Sequence, residues 1–224
     1  LKHNGPIRNI DKINRIIGTK KFKQKINFKK NSSLEAQIAA VSDDIAYNNH
    51  DIQDGIKANL FTLDDIKQIP FFEQILKSYK NKLKKENNDI IVYQTIRDSI
   101  NLMVQDLIKT TKKNILKNKI SSTREVLNKK FQIVDFSKKF KIIIKEVRHF
   151  LRIAMYNNKN VLKKNNEGKS IIKKLFYIIN KNPKKFINPA KLKKNKKRAI
   201  SDYISGMTDR YAIELYKSSK WIYL

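Results

Sequence analysis

Apolar side chains recur every three or four positions over long stretches of this chain, and this spacing constrains its fold more than any other feature. The segment 90–116 shows it best, with apolar residues at Ile96, Ile100, Met103, Val104, Leu107 and Ile108. Residues spaced in this way share one face of an α-helix, which repeats every ~3.6 residues. Only five glycines and four prolines occur among the 224 residues, few for a sheet protein with many tight turns. The sequence therefore predicts an all-α fold.

Capping residues predict where several helices begin. Ser32, followed by Glu35 three residues later, fits a capping box that opens a helix to about Asp54, where Gly55 would help to end it. Similar starts are expected at Thr62, Ser122 and Ser137. Pro70 either interrupts or begins an element, and the Asn-Pro pairs 182–183 and 188–189 mark loops or helix starts. Helices are predicted over residues 71–85, 90–116, 137–155, 171–179 and 199–217, and exposed loops over residues 157–168 and 191–198. An anion contact is the alternative for the basic run 191–198. A short apolar pattern is also present at Ile10, Ile13, Ile16 and Ile17.

The formal net charge of +30 has two interpretations. The first interpretation is a polyanionic partner, such as nucleic acid, nucleotides or an anionic membrane. The second is base composition, because Lys, Asn and Ile all have AT-rich codons and an AT-rich genome places Lys on any solvated surface. In both cases the charge creates a field that attracts anionic substrates without naming one.

Other features limit the cellular setting. The chain has no cysteine, which excludes a disulfide framework, a thiolate metal site and a cysteine nucleophile. No apolar run approaches the length of a membrane span, and no signal-peptide pattern is present. A cytoplasmic protein without a membrane partner is expected. The opening at Leu1, with a sequence typical of a domain interior, predicts a fragment or a split reading frame.

The most informative segment for function is the helix predicted over residues 33–54. It places Asp43, Tyr47 and Asp51 at positions i, i+4 and i+8, so the three side chains share one helix face. Two carboxylates and a phenol on one face indicate one wall of a polar pocket. Tyr47 as a half-buried core residue, and Asp43 and Asp51 as ordinary surface acids, are the alternatives.

A metal site is hard to build from this sequence. The three histidines, His3, His50 and His149, are far apart, and no His-x-x-x-His pair or acidic calcium loop is present. Asp43 and Asp51 would lie about 12 Å apart along the helix axis, too far to bind one ion together.

Five segments, taken together, resemble a known family over nearly all of the chain. They are residues 2–6, the helix that carries Asp43, Tyr47 and Asp51, residues 96–108, residues 150–156, and residues 199–212 with Gly206-Met207-Thr208-Asp209. In this order they resemble the deoxyguanosine triphosphate triphosphohydrolases, a branch of the HD-domain superfamily. The resemblance implies a set of packed helices, residues 1–224, that forms the C-terminal part of an HD-type domain.

The resemblance also implies roles for four residues. Asp43 matches a metal ligand, Tyr47 and Asp51 match residues near the substrate sugar, and Arg97 matches an arginine near the triphosphate. The implied reaction converts a deoxynucleoside triphosphate to the nucleoside and triphosphate, with Mg²⁺ or Mn²⁺ as cofactor. An ion pair with Asp98 or Asp106 is the alternative for Arg97, and Asp209-Arg210 is expected to be a structural ion pair.

The family's first His, its His-Asp pair and its catalytic His match nothing in this chain. His50-Asp51 does not replace them, because it belongs to the later helix. The metal-binding half is therefore expected to be absent, no catalytic residue is assigned, and the chain alone is expected to bind metal poorly and to be inactive. An upstream polypeptide would supply the missing half. Assembly of the chain into a homo-oligomer is a further alternative. The alternatives are a basic helical nucleic-acid-binding module and a decayed gene product without function.

Overall fold

The computed structural model describes residues 30–79 and 88–220, and the regular elements in those residues are all helical. This confirms the all-α expectation. The helices are α1 Leu34–Lys57, α2 Leu63–Ile66, α3 Pro70–Lys77, α4 Asn88–Lys117, α5 Thr123–Asn128, α6 Lys138–Leu151, α7 Lys159–Lys181, α8 Pro189–Lys194, α9 Lys196–Ser205 and α10 Asp209–Lys220. A π-helical turn, Arg152–Tyr156, follows α6, and a 3₁₀ turn, Pro183–Lys185, precedes α8. The chain divides into two compact units, Leu1–Met155 and Tyr156–Leu224.

Helix α1 begins one residue later than the sequence predicted. Ser33, not Ser32, is the N-cap, and its hydroxyl accepts a hydrogen bond from the Ala36 amide at 3.4 Å. Ser32 is instead buried, with its own amide donating to the Asn31 side-chain oxygen. The prediction that Gly55 ends the helix is also wrong, because α1 continues through it to Lys57.

Other predicted starts are confirmed. The Thr62 hydroxyl accepts from the Asp65 amide, and the Asp65 carboxylate accepts from the Thr62 amide in return, which completes a capping box. These hydrogen bonds from Thr62 lower the pKa of Asp65. Pro70 is the first residue of α3, where its missing N–H costs nothing. Ser122 and Ser137 cap α5 and α6.

The core of the first unit is built around α4, which packs against α1 and α3, while α1 also packs against α6. One face of α4 is buried, including Ile91, Ile96 and Met103, whereas Ile108 is 50% exposed. The predicted long helix is thus confirmed, with a buried stripe rather than full burial. The helix predicted over residues 71–85 ends at Lys77, and residues 80–85 lie outside the described part of the chain. The pattern of residues 10–17 and the motif at residues 2–6 also lie outside it.

Gln37 ties the start of α1 to the loop before α6. Its buried side-chain oxygen accepts hydrogen bonds from the amides of Ile133 and Val134, at 2.8 and 3.1 Å. Its amide group donates to the Ser32 carbonyl at 2.9 Å. One side chain therefore satisfies three buried backbone groups, which would otherwise carry a desolvation cost.

In the second unit, α7 packs against α9 and α10. Leu175, Ile179 and Ile200 are fully buried between them. Three predictions fail here. Residues 159–168 belong to α7, although they are polar and mostly exposed as expected. Residues 191–198 lie mainly in α8 and α9. The single helix predicted over residues 199–217 is broken after Ser205.

The break follows from local hydrogen bonding. Gly206 caps α9 by donating its amide to the Asp202 carbonyl at 3.2 Å. The Thr208 hydroxyl then accepts from the Tyr211 amide at 3.2 Å and starts α10. Among the described helices, none combines the length and apolar character that a membrane crossing requires.

The first prediction concerns Gly55. A Cβ atom there would lie 2.1 Å from the Phe61 ring, which itself packs edge-on against Phe150 with centroids 4.9 Å apart. We expect Gly55→Ala to lower the free energy of unfolding of the first unit by about 1–3 kcal/mol, because overpacking outweighs the helix propensity of Ala. Urea denaturation followed by circular dichroism measures this change.

The matched control is Gly168→Ala in α7, where a Cβ atom meets nothing within 4 Å. This substitution should stabilise the protein by about 0.5–1 kcal/mol through helix propensity alone. If both variants were equally stabilised, close packing at Gly55 would be refuted.

The second prediction concerns Gln37. Replacing it with Ala leaves two buried amides and one carbonyl without partners. We expect a loss of about 3 kcal/mol or more in the free energy of unfolding. The control is Gln105→Ala on the exposed side of α4, for which a change within about 0.5 kcal/mol is expected in the same denaturation experiment.

Candidate functional site

Asp43, Tyr47 and Asp51 lie on the face of α1 opposite to its buried face. The helix runs without interruption through all three positions. Ile45 and Ile52 point into the core, with 4% and 0% exposure. At about 100° per residue, the three side chains are displaced by about 160–240° around the axis from Ile45. We call this set, Asp43, Tyr47 and Asp51, the acidic ridge.

The acidic ridge is accessible in the described structure. Asp43 is exposed, Asp51 is half-buried, and the Tyr47 side chain is 60% exposed. The alternative in which Tyr47 is a half-buried core residue is therefore wrong. The shared face is confirmed, whereas its role as a pocket wall stays a prediction.

Two buried amide side chains on the core side of α1 were missed by sequence reasoning. Asn49 is buried, and its amide group donates to the Ile45 carbonyl at 2.8 Å and contacts the Met103 sulfur at 3.4 Å. Asn48 is also buried and donates to the Asp44 carbonyl at 2.7 Å. These polar side chains look like surface residues by composition, yet both are buried on the core side of α1, and Asn49 contacts α4 through Met103.

An ion pair next to the acidic ridge was also missed. An Arg148 guanidinium nitrogen lies 3.0 Å from an Asp44 carboxylate oxygen and connects α6 to α1. Both side chains are about half exposed, so the pair contributes at most about 1 kcal/mol. The partners are 104 positions apart in the sequence, which leaves no local signal for the pair.

Arg97, the predicted triphosphate contact, lies on α4 rather than on the helix of the ridge. Its guanidinium is 73% exposed, with Nε 3.7 Å from an Asp98 carboxylate oxygen. Asp98 also accepts a hydrogen bond from the Tyr79 hydroxyl. That bond, with burial, raises the pKa of Tyr79. The ion pair with Asp98 that the sequence left open is thus present, and the phosphate role stays a prediction.

The described residues do not form a metal site on their own. Within residues 30–79 and 88–220, no group of three or more His, Asp or Glu side chains is positioned to hold an ion. His50 and His149 are both exposed, and His3 lies outside the described residues. Asp43 by itself does not fit a divalent cation, which needs several fixed ligands.

The second unit contains a separate cavity of about 890 Å³. It lies where α8, α9 and the start of α10 meet, and its walls include Lys191, Arg198, Tyr203, Met207 and Tyr211. The basic run 191–198, for which the sequence left an anion contact open, supplies Lys191 and Arg198 to these walls.

Two phenols meet at this cavity. The hydroxyl oxygens of Tyr203 and Tyr211 are 3.4 Å apart, so one donates to the other. This hydrogen bond, followed by burial, raises the pKa of Tyr203 to about 12.

The sequence predicted an ion pair between Asp209 and Arg210, but Arg210 pairs with a different residue. Arg210 Nε lies 2.9 Å from Glu214, one turn later on α10. A similar pair joins Arg198 and Asp202 on α9 at 2.7 Å.

Comparisons with known proteins agree with the motifs. Residues 134–218 match the family model of the phosphohydrolase-associated domain. A deoxyguanosinetriphosphate triphosphohydrolase-like protein of Pelagibacter ubique is 61% identical over 217 residues, which cover 97% of this chain and 58% of the relative. Proteins with the same name from Rickettsia felis and Leptospira interrogans are 34% and 35% identical, over 96% and 83% of this chain and 57% and 50% of the relatives. The chain thus spans between half and three-fifths of these relatives.

The third prediction concerns Tyr203. Its pKa is about 12 in the folded protein against a usual value of 10.0, so the stabilising contribution of its hydrogen bond is complete below about pH 10 and disappears as pH rises through about 12. Tyr211→Phe removes the partner hydroxyl and should move this titration towards pH 10. The phenolate absorbance of each variant, measured against pH, reports the shift, with Tyr177→Phe as the control that should leave it in place.

Proposed function

Because this chain belongs to the deoxyguanosinetriphosphate triphosphohydrolase-like family over the part of those proteins that it matches, we propose that it forms part of an enzyme that hydrolyses a deoxynucleoside triphosphate. The products are the deoxynucleoside and triphosphate, with one water consumed. The observation that carries the proposal is the acidic ridge on one uninterrupted helix, with Asp43 and Tyr47 exposed and Asp51 half-buried. In this proposal, both compact units belong to the C-terminal part of an HD-type protein.

The acidic ridge suits the sugar end of the substrate. A carboxylate is an acceptor for hydroxyl hydrogens, and Asp51 would accept a hydrogen bond from the 3′-hydroxyl. Tyr47, one turn earlier, offers a flat ring with an exposed edge for packing against the deoxyribose. Consecutive members of the ridge are about 6 Å apart along the axis, so both can reach one sugar.

Arg97 suits the phosphate end. A guanidinium binds phosphate oxygens with two parallel hydrogen bonds, and most of the Arg97 side chain is accessible. Its distance of 3.7 Å from Asp98 is a loose ion pair, which a triphosphate carrying several negative charges could replace. The net charge of +30 adds an attractive field for such a ligand.

Asp43 is proposed as one ligand of the Mg²⁺ or Mn²⁺ that the family implies. Since the described residues do not form a complete donor set, we derive no catalytic step through that ion. The chain's own contribution is to bind and orient the nucleoside, which positions the scissile bond for chemistry supplied elsewhere. We propose that the chain alone releases no triphosphate. The names of the relatives favour this function over a nucleic-acid-binding module.

The fourth prediction tests the proposal in a chimera. The matched segment of the Pelagibacter ubique relative is replaced with this chain, and triphosphate release from each deoxynucleoside triphosphate is measured with Mg²⁺ or Mn²⁺. The chimera should keep the activity of the intact relative. Asp51→Asn, which weakens a hydrogen bond to a charged group, and Tyr47→Leu, which removes the packing ring, should each lower kcat/KM in the chimera by about 10- to 100-fold.

Two matched substitutions serve as controls. Glu167→Gln removes an exposed carboxylate from α7, and Tyr177→Leu removes the ring of a tyrosine that is 62% exposed. Both should leave kcat/KM within about twofold, since neither lies on the acidic ridge. Full activity in the Asp51 and Tyr47 variants, or an inactive chimera beside an active relative, would contradict the proposal.

A further inference from the structure

The cavity of the second unit has the size and position of a ligand site. Its volume of about 890 Å³ lies within the range of about 300–1,000 Å³ that small-molecule pockets occupy. It forms where three short elements meet, at the turn before α8 and at the break between α9 and α10. All of its lining residues belong to this one unit, so it is independent of the acidic ridge.

One side of the cavity is aromatic. Phe186 and Tyr203 are half-buried, with ring centroids 6.3 Å apart and planes tilted by 51°. Tyr211, which is 46% exposed, and the half-buried Met207 extend this surface. Aromatic faces and a polarisable thioether are suited to a flat ring that stacks or slides between them.

The other side is cationic. Lys191 on α8 and Arg198 on α9 both line the cavity and are exposed. Arg198 is held by Asp202 at 2.7 Å, so its guanidinium is fixed in place and part of its charge is already balanced. Lys191 is therefore the main cation for a ligand, and its flexible ammonium can follow an anionic group at the cavity mouth.

We propose that this cavity binds a small planar aromatic ring that carries a phosphate, such as an aryl phosphate or a nucleoside monophosphate. The ring contacts Tyr211, Met207 and Tyr203, and the phosphate contacts Lys191. The hydroxyls of Tyr203 and Tyr211 are hydrogen-bonded to each other, and this bond with burial raises the pKa of Tyr203, so the Tyr203 phenol stays neutral at physiological pH and does not repel the phosphate.

The aromatic requirement distinguishes this site from general attraction. A chain with a net charge of +30 attracts any anion, and exposed lysines outside the cavity would do so equally. Binding that depends on both a ring and a phosphate, at one place, requires the cavity.

Calorimetric titration of the whole chain with AMP, phenyl phosphate and inorganic phosphate, at fixed salt, tests the proposal. AMP or phenyl phosphate should bind saturably at one site, and inorganic phosphate about tenfold more weakly or worse. Tyr211→Leu and Lys191→Gln should each weaken the aromatic ligand by about tenfold. Preference for AMP would identify a nucleotide site, and equal affinity a general aryl phosphate site; both outcomes support the proposal.

Matched controls on α7 are Tyr177→Leu and Lys173→Gln, which replace exposed residues away from the cavity. They should leave binding unchanged. The proposal is overturned if neither aromatic ligand saturates, if Lys173→Gln weakens binding as much as Lys191→Gln, or if inorganic phosphate binds as tightly as AMP. Because Tyr211 and Lys191 are both exposed, their replacement leaves the core of the unit intact, which circular dichroism checks.

Discussion

The rotation of α1 about its own axis is the constraint on which the candidate site depends. Ile45 and Ile52 supply the apolar contact with the core, and a non-directional contact alone would tolerate some rotation. The buried side chain of Gln37 removes this freedom, because its hydrogen bonds with the amides of Ile133 and Val134 have fixed directions and buried polar groups are costly to leave unpaired. With these side chains held inside, Tyr47 and its neighbours on the ridge must face outward.

Helix starts were predictable from the sequence where one or two residues determine them. Pro70 fits the first position of a helix, and the side chains of Thr62 and Asp65 form a reciprocal capping box. The choice between Ser32 and Ser33 was not readable, because either hydroxyl can cap and burial of Ser32 decides between them. Residues 159–168 form an exposed helix with little apolar periodicity, so the main signal for a helix is missing there.

The face shared by the acidic ridge was predictable because it follows from helix period alone. Contacts between distant segments were not. The pair of Asp44 and Arg148 depends on how α6 packs against α1, and the pair of Tyr203 and Tyr211 depends on a break that the apolar period does not show. Gly55 illustrates the same limit, since a glycine near a helix end suggests a stop, whereas here it makes room for the Phe61 ring.

The negative charge of the acidic ridge restricts how a nucleotide could bind. The chain as a whole attracts polyanions, but Asp43 and Asp51 would repel a phosphate placed directly on them. In the proposed function, the ridge must therefore meet the hydroxyl-bearing sugar or a cation, and the phosphates must lie towards cationic groups such as Arg97. In this proposal the two kinds of charge act differently. The basic surface attracts the nucleotide, and the acidic ridge determines which end of the nucleotide approaches α1.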